Sequence, residues 1–374
     1  MQNTLRIAAR YGMYGPELPA DAIPPEGFVI KQRTAQYDEY GHLKRQSIKT
    51  TREEGDTFEP LPGHAIKGES VLVDAYGNVS LRWIKTRENA QALEALTEAL
   101  RASLADVSPR PATKSPEIVN ADLLTVYPVA DLHMGMMSWG KETGASYDVE
   151  IAARLALESV SELVAMSRPS KRAVILGLGD YFHQNDATNM TPRSGHVLDV
   201  DGRWPKVLRA GCDVAMAIVD AALQKHEQVD VRFLPGNHDP DAAVALSVAM
   251  SLAYRNDPRV TIDVDPSLHW YCRFGRVLMG ATHGHTMKPD RMAMMLATDR
   301  AADWGETVHK HFFFGHIHNE RAADIGPVKV ESFRTIASKD GYAHGAGYRA
   351  PRSMSAITFH AERGEIGRHK VHVT

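Results

Sequence analysis

Five short blocks of the chain gather metal-ligating side chains. They are Asp131-Leu132-His133, Gly179-Asp180, Gly236-Asn237-His238-Asp239, His283-Gly284-His285 and Gly315-His316-Ile317-His318. Carboxylates, an amide and imidazoles are all present, and no cysteine is among them. That donor set suits Mn²⁺, iron or Zn²⁺ in a reactive site and argues against a thiolate-bound structural zinc. There are enough donors for two ions. Two divalent cations about 3.5–4 Å apart lower the pKa of a shared water and clamp the oxygens of a group under attack, so the chemistry to expect is metal-assisted hydrolysis.

Each block follows an apolar, β-rich run: 124–130, 173–178, 229–234, 276–282 and 311–314. In open α/β sheets ligands gather just beyond the carboxyl ends of the strands, which is where these blocks fall. If the extended backbone continues through a block, residues i and i+2 share a face. Asp131 and His133 then reach one ion while Leu132 packs backwards, and His316 and His318 do the same around Ile317. The glycines at 135, 179, 236, 284 and 315 suit tight turns and close approach of backbone to a ligand.

From about residue 122, strands alternate with helices: strand 123–131, helix 148–167, strand 172–178, helix 204–226, strand 229–235 and helix 240–256. After 259 strands dominate, with a helical interruption near 288–309. The pattern predicts mixed sheets covered by helices. The N-terminal part differs. Asp38-Glu39-Tyr40-Gly41 leading to Ile48-Lys49-Thr50 is echoed by Asp74-Ala75-Tyr76-Gly77 leading to Ile84-Lys85-Thr86, an offset of 36 residues (74 − 38 = 36). Two related β-hairpins turning at the Tyr-Gly pairs are expected. Leu93, Leu96, Leu100 and Leu104 predict a helix over 89–105, and the Pro- and Ser-containing stretch 107–116 reads as a linker. The expected domains are therefore a hairpin module at 1–88, a helix and linker at 89–121 and a catalytic domain at 122–374.

Composition is that of an ordinary soluble protein: 374 residues, 43% hydrophobic and 24% charged. A net charge of -3 gives no global sign of a polyanionic partner. The module at 1–88 carries lysines, arginines and aromatics, yet its 12 basic residues meet 12 acidic ones. Cys212 and Cys272 lie far apart within predicted elements, so a disulfide framework is not expected and a cytoplasmic setting is. Residues 1–6 lack a signal pattern, and the apolar stretch 242–254 is shorter than the ~20 residues that span a bilayer. No membrane association is expected.

The ordered blocks resemble the calcineurin-like metallophosphoesterase superfamily, whose pattern is D-x-H, G-D, G-N-H-[DE], H and G-H-x-H. The match covers about residues 122–332. The resemblance implies a four-layer α/β/β/α sandwich, here with a small N-terminal β-rich accessory module. It implies two divalent ions, with Mn²⁺ favoured and Fe or Zn²⁺ as alternatives. Asp131, His133 and His318 would hold the first, Asn237, His283 and His316 the second, and Asp180 would bridge them. His285 is an alternative to His283, but the histidine directly after the strand fits the pattern better. His238 would be the general acid.

Gly179-Asp180-Tyr181-Phe182-His183 further resembles the G-D-L-F-H stretch of the SbcD-like nuclease branch, where the histidine at the place of His183 helps position the scissile phosphate. The overall layout, with Leu198-Asp199-Val200-Asp201-Gly202-Arg203-Trp204 after the second block and a glycine-rich segment at 341–348, looks like enzymes of bacteriophages and prophages. The expected activity is phosphodiester hydrolysis, with DNA as substrate in an exonuclease-like reaction. A cyclic-nucleotide or nucleotide phosphodiesterase is the alternative. A non-catalytic scaffold is disfavoured because no ligand is missing, and a homodimer is left open.

Overall fold

The computed structural model describes residues 110–373 throughout and, within residues 1–109, the backbone of four strands. The chain divides into two units, Met1–Leu104 and Ala105–Thr374. The expected helix at 89–105 and the Tyr-Gly turns lie outside the described residues.

In the first unit β1 (Phe28–Tyr37) pairs antiparallel with β2 (Leu43–Arg52), and β3 (His64–Val73) with β4 (Val79–Glu88). The 36-residue echo extends to the pairing itself. Phe28 faces Arg52 as His64 faces Glu88, and register breaks at Ile30/Gln32 and Gln36/Tyr37 recur at Ile66/Gly68 and Leu72/Val73.

The second unit is built on two sheets. The six-stranded one has the order β15-β14-β5-β6-β7-β8, from β5 (Asn120–Val129), β6 (Ser170–Gly177), β7 (Gln228–Phe233), β8 (Val260–Asp263), β14 (Arg352–His360) and β15 (Gly364–Val373). Its members β5 to β8 run parallel. The five-stranded one has the order β12-β13-β11-β10-β9, from β9 (His269–Phe274), β10 (Val277–Thr282), β11 (His309–Phe314), β12 (Arg321–Ile325) and β13 (Val328–Ser332). There β10, β11 and β13 are parallel.

Three apolar clusters separate four layers. Tyr127, Val129, Ile175 and Val231 of the larger sheet pack on residues of α2 (Val149–Met166), α3 (Trp204–Leu223) and α4 (Pro240–Ala253), among them Leu163, Ile218 and Leu246. On the opposite face Leu124, Val126, Val174 and Leu176 meet Val277, Met279, Ala281 and Phe313 of the smaller sheet. The far side of that sheet, with Leu278, Phe312 and Val330, is covered by Met292 and Leu296 of α5 (Pro289–Asp299). The result is the expected α/β/β/α order. It also explains why the central strands read as unbroken apolar runs, since β6 and β10 are buried on both faces. The remaining short helices are α1 (Gly140–Thr143), α6 (Ala301–Glu306) and α7 (Gly341–Gly345). Among the described residues no helix is long and apolar enough to cross a membrane.

Polar pins supplement the clusters. Arg368 of β15 forks onto the buried Glu331 of β13 at 2.8 and 2.9 Å, tying the two sheets together along one edge. His226, fully buried, lies 2.7 Å from the Tyr127 hydroxyl and 2.6 Å from that of Ser170. Burial pushes its pKa down to about 4. Because the unfolded value is near 6.5, stability from keeping His226 neutral is complete above that pH and is lost as pH falls toward 4, by about 3 kcal/mol. Urea titrations at stepped pH should therefore show His226→Gln losing stability less steeply than the parent between pH 6.5 and 4, by up to ~1.4 kcal/mol per pH unit. Parallel acid limbs would show that His226 titrates normally in the fold.

Candidate metal centre

The five blocks begin where strands stop. Asp131 follows β5, Gly179 follows β6, Gly236 follows β7, His283 follows β10 and Gly315 follows β11. Since these strands are parallel within each sheet and the sheets face one another, their carboxyl ends assemble a single site.

The local conformation differs from the extended one that the i, i+2 spacing predicts. Asp131, His133, His316 and His318 have φ of 50°, 48°, 68° and 52°, and Asp180 has 50°. Five of the six non-glycine residues with positive φ among the described residues are thus expected ligands. The pairs 131/133 and 316/318 converge because left-handed residues curl the backbone around the site, not because a pleated strand continues. Asp and His tolerate this region better than most residues. Leu132 does pack backwards, fully buried in the helix-side core.

Three donor clusters result, of which His133, His183 and His238 form one and the other two gather expected ligands. Asp131, His133 and His318 form the first of those two, with His133 Nε2 3.2 Å from His318 Nε2 and His318 Nε2 3.4 Å from Asp131 Oδ1. Asp180, His283 and His316 form the other. There His283 Nε2 is 3.1 Å from Asp180 Oδ2 and 2.9 Å from Asn237 Oδ1. All seven expected ligands are brought together. His283 Nδ1 donates to the Leu178 carbonyl at 2.8 Å, which turns Nε2 toward the cluster. His285 stands outside both clusters, its ring 5.2 Å from that of His283.

Electrostatics show what the donors lack. Burial would raise the Asp180 carboxyl, but His283, His238 and His133 hold it well below the usual carboxylate range. Burial would lower His283, yet the carboxylates of Asp180 and Asp131 lift it to about 9, and Asp131 likewise raises His318. His133 is kept neutral by burial and by His238 and His318 beside it. Buried carboxylates are therefore drawing positive charge from their neighbours, while neutral imidazoles aim lone pairs into the same space. Divalent cations supply that charge and accept those lone pairs, so the residues present fit two ions.

His238 and His183 lie beside the first cluster. The backbone N–H of His238 donates to Asp180 Oδ1 at 2.8 Å, and its Nδ1 donates to the His183 carbonyl at 2.8 Å. The two rings stack 5.1 Å apart, and His183 Nδ1 is 3.2 Å from His133 Nδ1. His183 is only 1% exposed, so its ring backs His133 and His238 and does not form the open surface of the site.

The scaffold includes residues that the sequence pattern did not mark as functional. The buried Asp239 carboxylate accepts from the backbone N–H groups of Asp180 (3.1 Å), Gly236 (3.0 Å) and Phe182 (2.9 Å), locking the second block to the third. Burial and the adjacent Asp180 push its pKa up to about 7. Asn185 Oδ1 accepts from Asp241 and Ala242 at the start of α4, extending the same lock. Thr335 Oγ1 donates to the Asp131 carbonyl. Asp239 was visible as the last residue of its block, whereas Thr335 carries no sequence signal. A further group, His311, Glu331 and Glu365, has its carboxylates taken by Arg368 and Lys329 and is an ion-pair network.

No family model and no curated protein matches the chain. Solved structures similar to it include a predicted phosphoesterase from Streptococcus pneumoniae (11% identity, TM-score 0.28, 68% of this chain and 100% of that one). Others are Vps29 from Entamoeba histolytica complexed with zinc (12%, 0.28, 66% and 98%) and a dimetal phosphatase from Danio rerio (11%, 0.37, 67% and 99%). With likenesses this distant, the fold and the site stand on the layers and distances above.

Two substitutions test the centre. A Cβ on Gly236 would sit 2.0 Å from Asp180 Oδ1 and 2.3 Å from the Asp180 backbone nitrogen, so Gly236→Ala must displace that residue, carboxylate and backbone together. The variant should fold yet bind metal at least tenfold more weakly by calorimetry. Unchanged affinity would mean that Asp180 is not a ligand. Asp180→Asn should lower metal stoichiometry more than loss of any single terminal ligand such as His318, because a shared carboxylate serves both ions. Elemental analysis showing the parent's metal content in that variant would remove the shared role.

Proposed function

We propose that the chain is a metal-dependent phosphodiester hydrolase acting on nucleic acid, as an exonuclease-like DNA nuclease using two divalent ions, with Mn²⁺ the favoured metal. The observation that carries the reading is the pair of donor clusters with the His238 ring held at their edge. Asp131, His133 and His318 would hold one ion, Asn237, His283 and His316 the other, and Asp180 would belong to both. Ions bound there would make an attacking water acidic and withdraw charge from the phosphoryl oxygens.

The chain's own groups do the rest. His238 is fixed at two points, by its N–H on Asp180 and its Nδ1 on the His183 carbonyl. Its Nε2 is the atom left to carry a proton to the departing oxygen, opposite the in-line attack. His183 acts as a positioning residue, since its buried ring stacks on His238 and its carbonyl sets the orientation of the acid. The Tyr181-Phe182-His183 continuation of the second block supports the nuclease reading over a small-molecule phosphodiesterase. The side chains of Tyr181 and Phe182 are buried, so that support rests on sequence resemblance.

In a Mn²⁺-dependent assay of labelled single- and double-stranded DNA against cyclic nucleotides, DNA should be the better substrate. His238→Asn should keep its metals and lose about 10²–10⁴-fold in rate. The loss should shrink on nitrophenyl esters, whose leaving group needs no proton. Equal impairment on good and poor leaving groups would remove His238 from the acid role, and strong preference for cyclic nucleotides would favour the small-molecule reading.

A further inference from the structure

Two short helices tied to the backbone of the first metal block carry or adjoin exposed aromatic rings that the chemistry described so far does not use. Trp139, at the start of α1, is 59% exposed, and Lys141 Nζ sits 5.6 Å above its ring. Tyr342 in α7 is 73% exposed and Tyr348 just beyond it 49%. The two helices lie against each other. Lys339 and Arg349 flank α7, and Glu142 and Asp340 are the acids of the same stretch, Asp340 being occupied in capping α7 through the Ala343 N–H at 2.7 Å.

Both helices are anchored to the first metal block. The α1 segment begins six residues after His133 (139 − 133 = 6), a reach of at most about 20 Å. Its far end is tied back where Tyr147 Oη donates to the Leu132 carbonyl at 2.7 Å. The α7 segment follows Thr335, whose hydroxyl holds the Asp131 carbonyl, and Ser338 Oγ donates to Ala145 O at 2.9 Å. Three large rings thus stand in water, with cations among them, on supports fixed to the metal-binding backbone. Water-exposed aromatics beside cations form the surface on which unpaired bases stack while lysines and arginines meet the phosphates. A duplex, whose bases are already stacked on each other, makes no such use of them.

We propose that Trp139, Tyr342 and Tyr348 form a stacking platform for single-stranded nucleic acid, which holds the nucleotides flanking the scissile phosphate. The proposal rests on the phosphodiesterase reading and names its substrate class. Its test separates binding from hydrolysis. Binding of a fluorescein-labelled twelve-nucleotide DNA strand with hydrolysis-resistant phosphorothioate linkages is followed by anisotropy with Ca²⁺ in place of Mn²⁺, alongside a blunt duplex of the same sequence and linkages. Hydrolysis of bis(p-nitrophenyl) phosphate with Mn²⁺ reports the metal centre independently.

Trp139→Ala and Tyr342→Ala should each weaken single-strand binding by roughly 5- to 100-fold, the loss of one stacked base. Trp139→Phe and Tyr342→Phe should retain most of the affinity, and all four variants should hydrolyse the nitrophenyl ester as the parent does. Alanine variants that bind the single strand like the parent would overturn the platform. So would a parent that hydrolyses the nitrophenyl ester yet binds no oligonucleotide, or one that prefers the duplex with equal loss in no variant. Single-strand binding that depends on Trp139, from a protein inactive on every phosphoester, would instead overturn the hydrolase reading and leave the platform standing.

Discussion

Face-to-face packing of the two sheets is the constraint on which everything else depends. The central cluster, with Leu124, Val174 and Leu176 on one side and Met279, Ala281 and Phe313 on the other, sets the separation of the sheets at the usual ~10 Å. At that separation the carboxyl ends of β5, β6 and β7 come within side-chain reach of those of β10 and β11. The two clusters that gather the expected ligands each draw on both sheets, whereas His133, His183 and His238 converge from the larger sheet alone. Asp131 and His133 need His318 from across the gap, and Asp180 needs His283 and His316.

Assembling the centre is unfavourable in the isolated chain. Residues held at positive φ outside glycine cost roughly 1–3 kcal/mol each, and here they are concentrated at the ligands. Carboxylates and imidazoles are stripped of water together. The fold over-determines them with backbone contacts: Asp239 gathers three N–H groups, the Leu178 carbonyl fixes His283, and the His316 N–H donates to Asp131 at 3.0 Å. Glycine is required at 236 because the Asp180 carboxylate passes where a side chain would begin.

Much of this was legible in the sequence, for identifiable reasons. The apolar runs before each block could be read because strands buried on both faces have no room for polar residues. The donor blocks could be read because few side-chain types bind hard or borderline cations. The backbone path through the blocks could not. A spacing of two suits a pleated strand and a left-handed curl equally well, and only the φ values of Asp131 and His133 tell them apart. Nor could the burial of His183, since a histidine after Gly-Asp reads the same whether it lines a site or supports it. The glycine-rich stretch at 341–348 carries no marked periodicity, yet it includes α7 beside α1, and β14 and β15 after it complete the larger sheet. Long-range pairing of that kind leaves no local mark in composition.

Because the clusters around Asp131 and Asp180 each draw on both sheets, each is also a tie between distant parts of the chain. Asp131 and His318 are 187 positions apart (318 − 131 = 187), and Asp180 and His316 are 136 apart (316 − 180 = 136). Joining such points in an unfolded chain costs entropy that grows only slowly with loop length, so a long closure is scarcely dearer than a medium one. An ion held at both ends would therefore act as a removable cross-link, comparable in topology to a disulfide spanning half the molecule, in a chain whose two cysteines are both free. The stability of this architecture and the chemistry proposed for it would then share one set of atoms, so depletion of metal would loosen the sandwich itself.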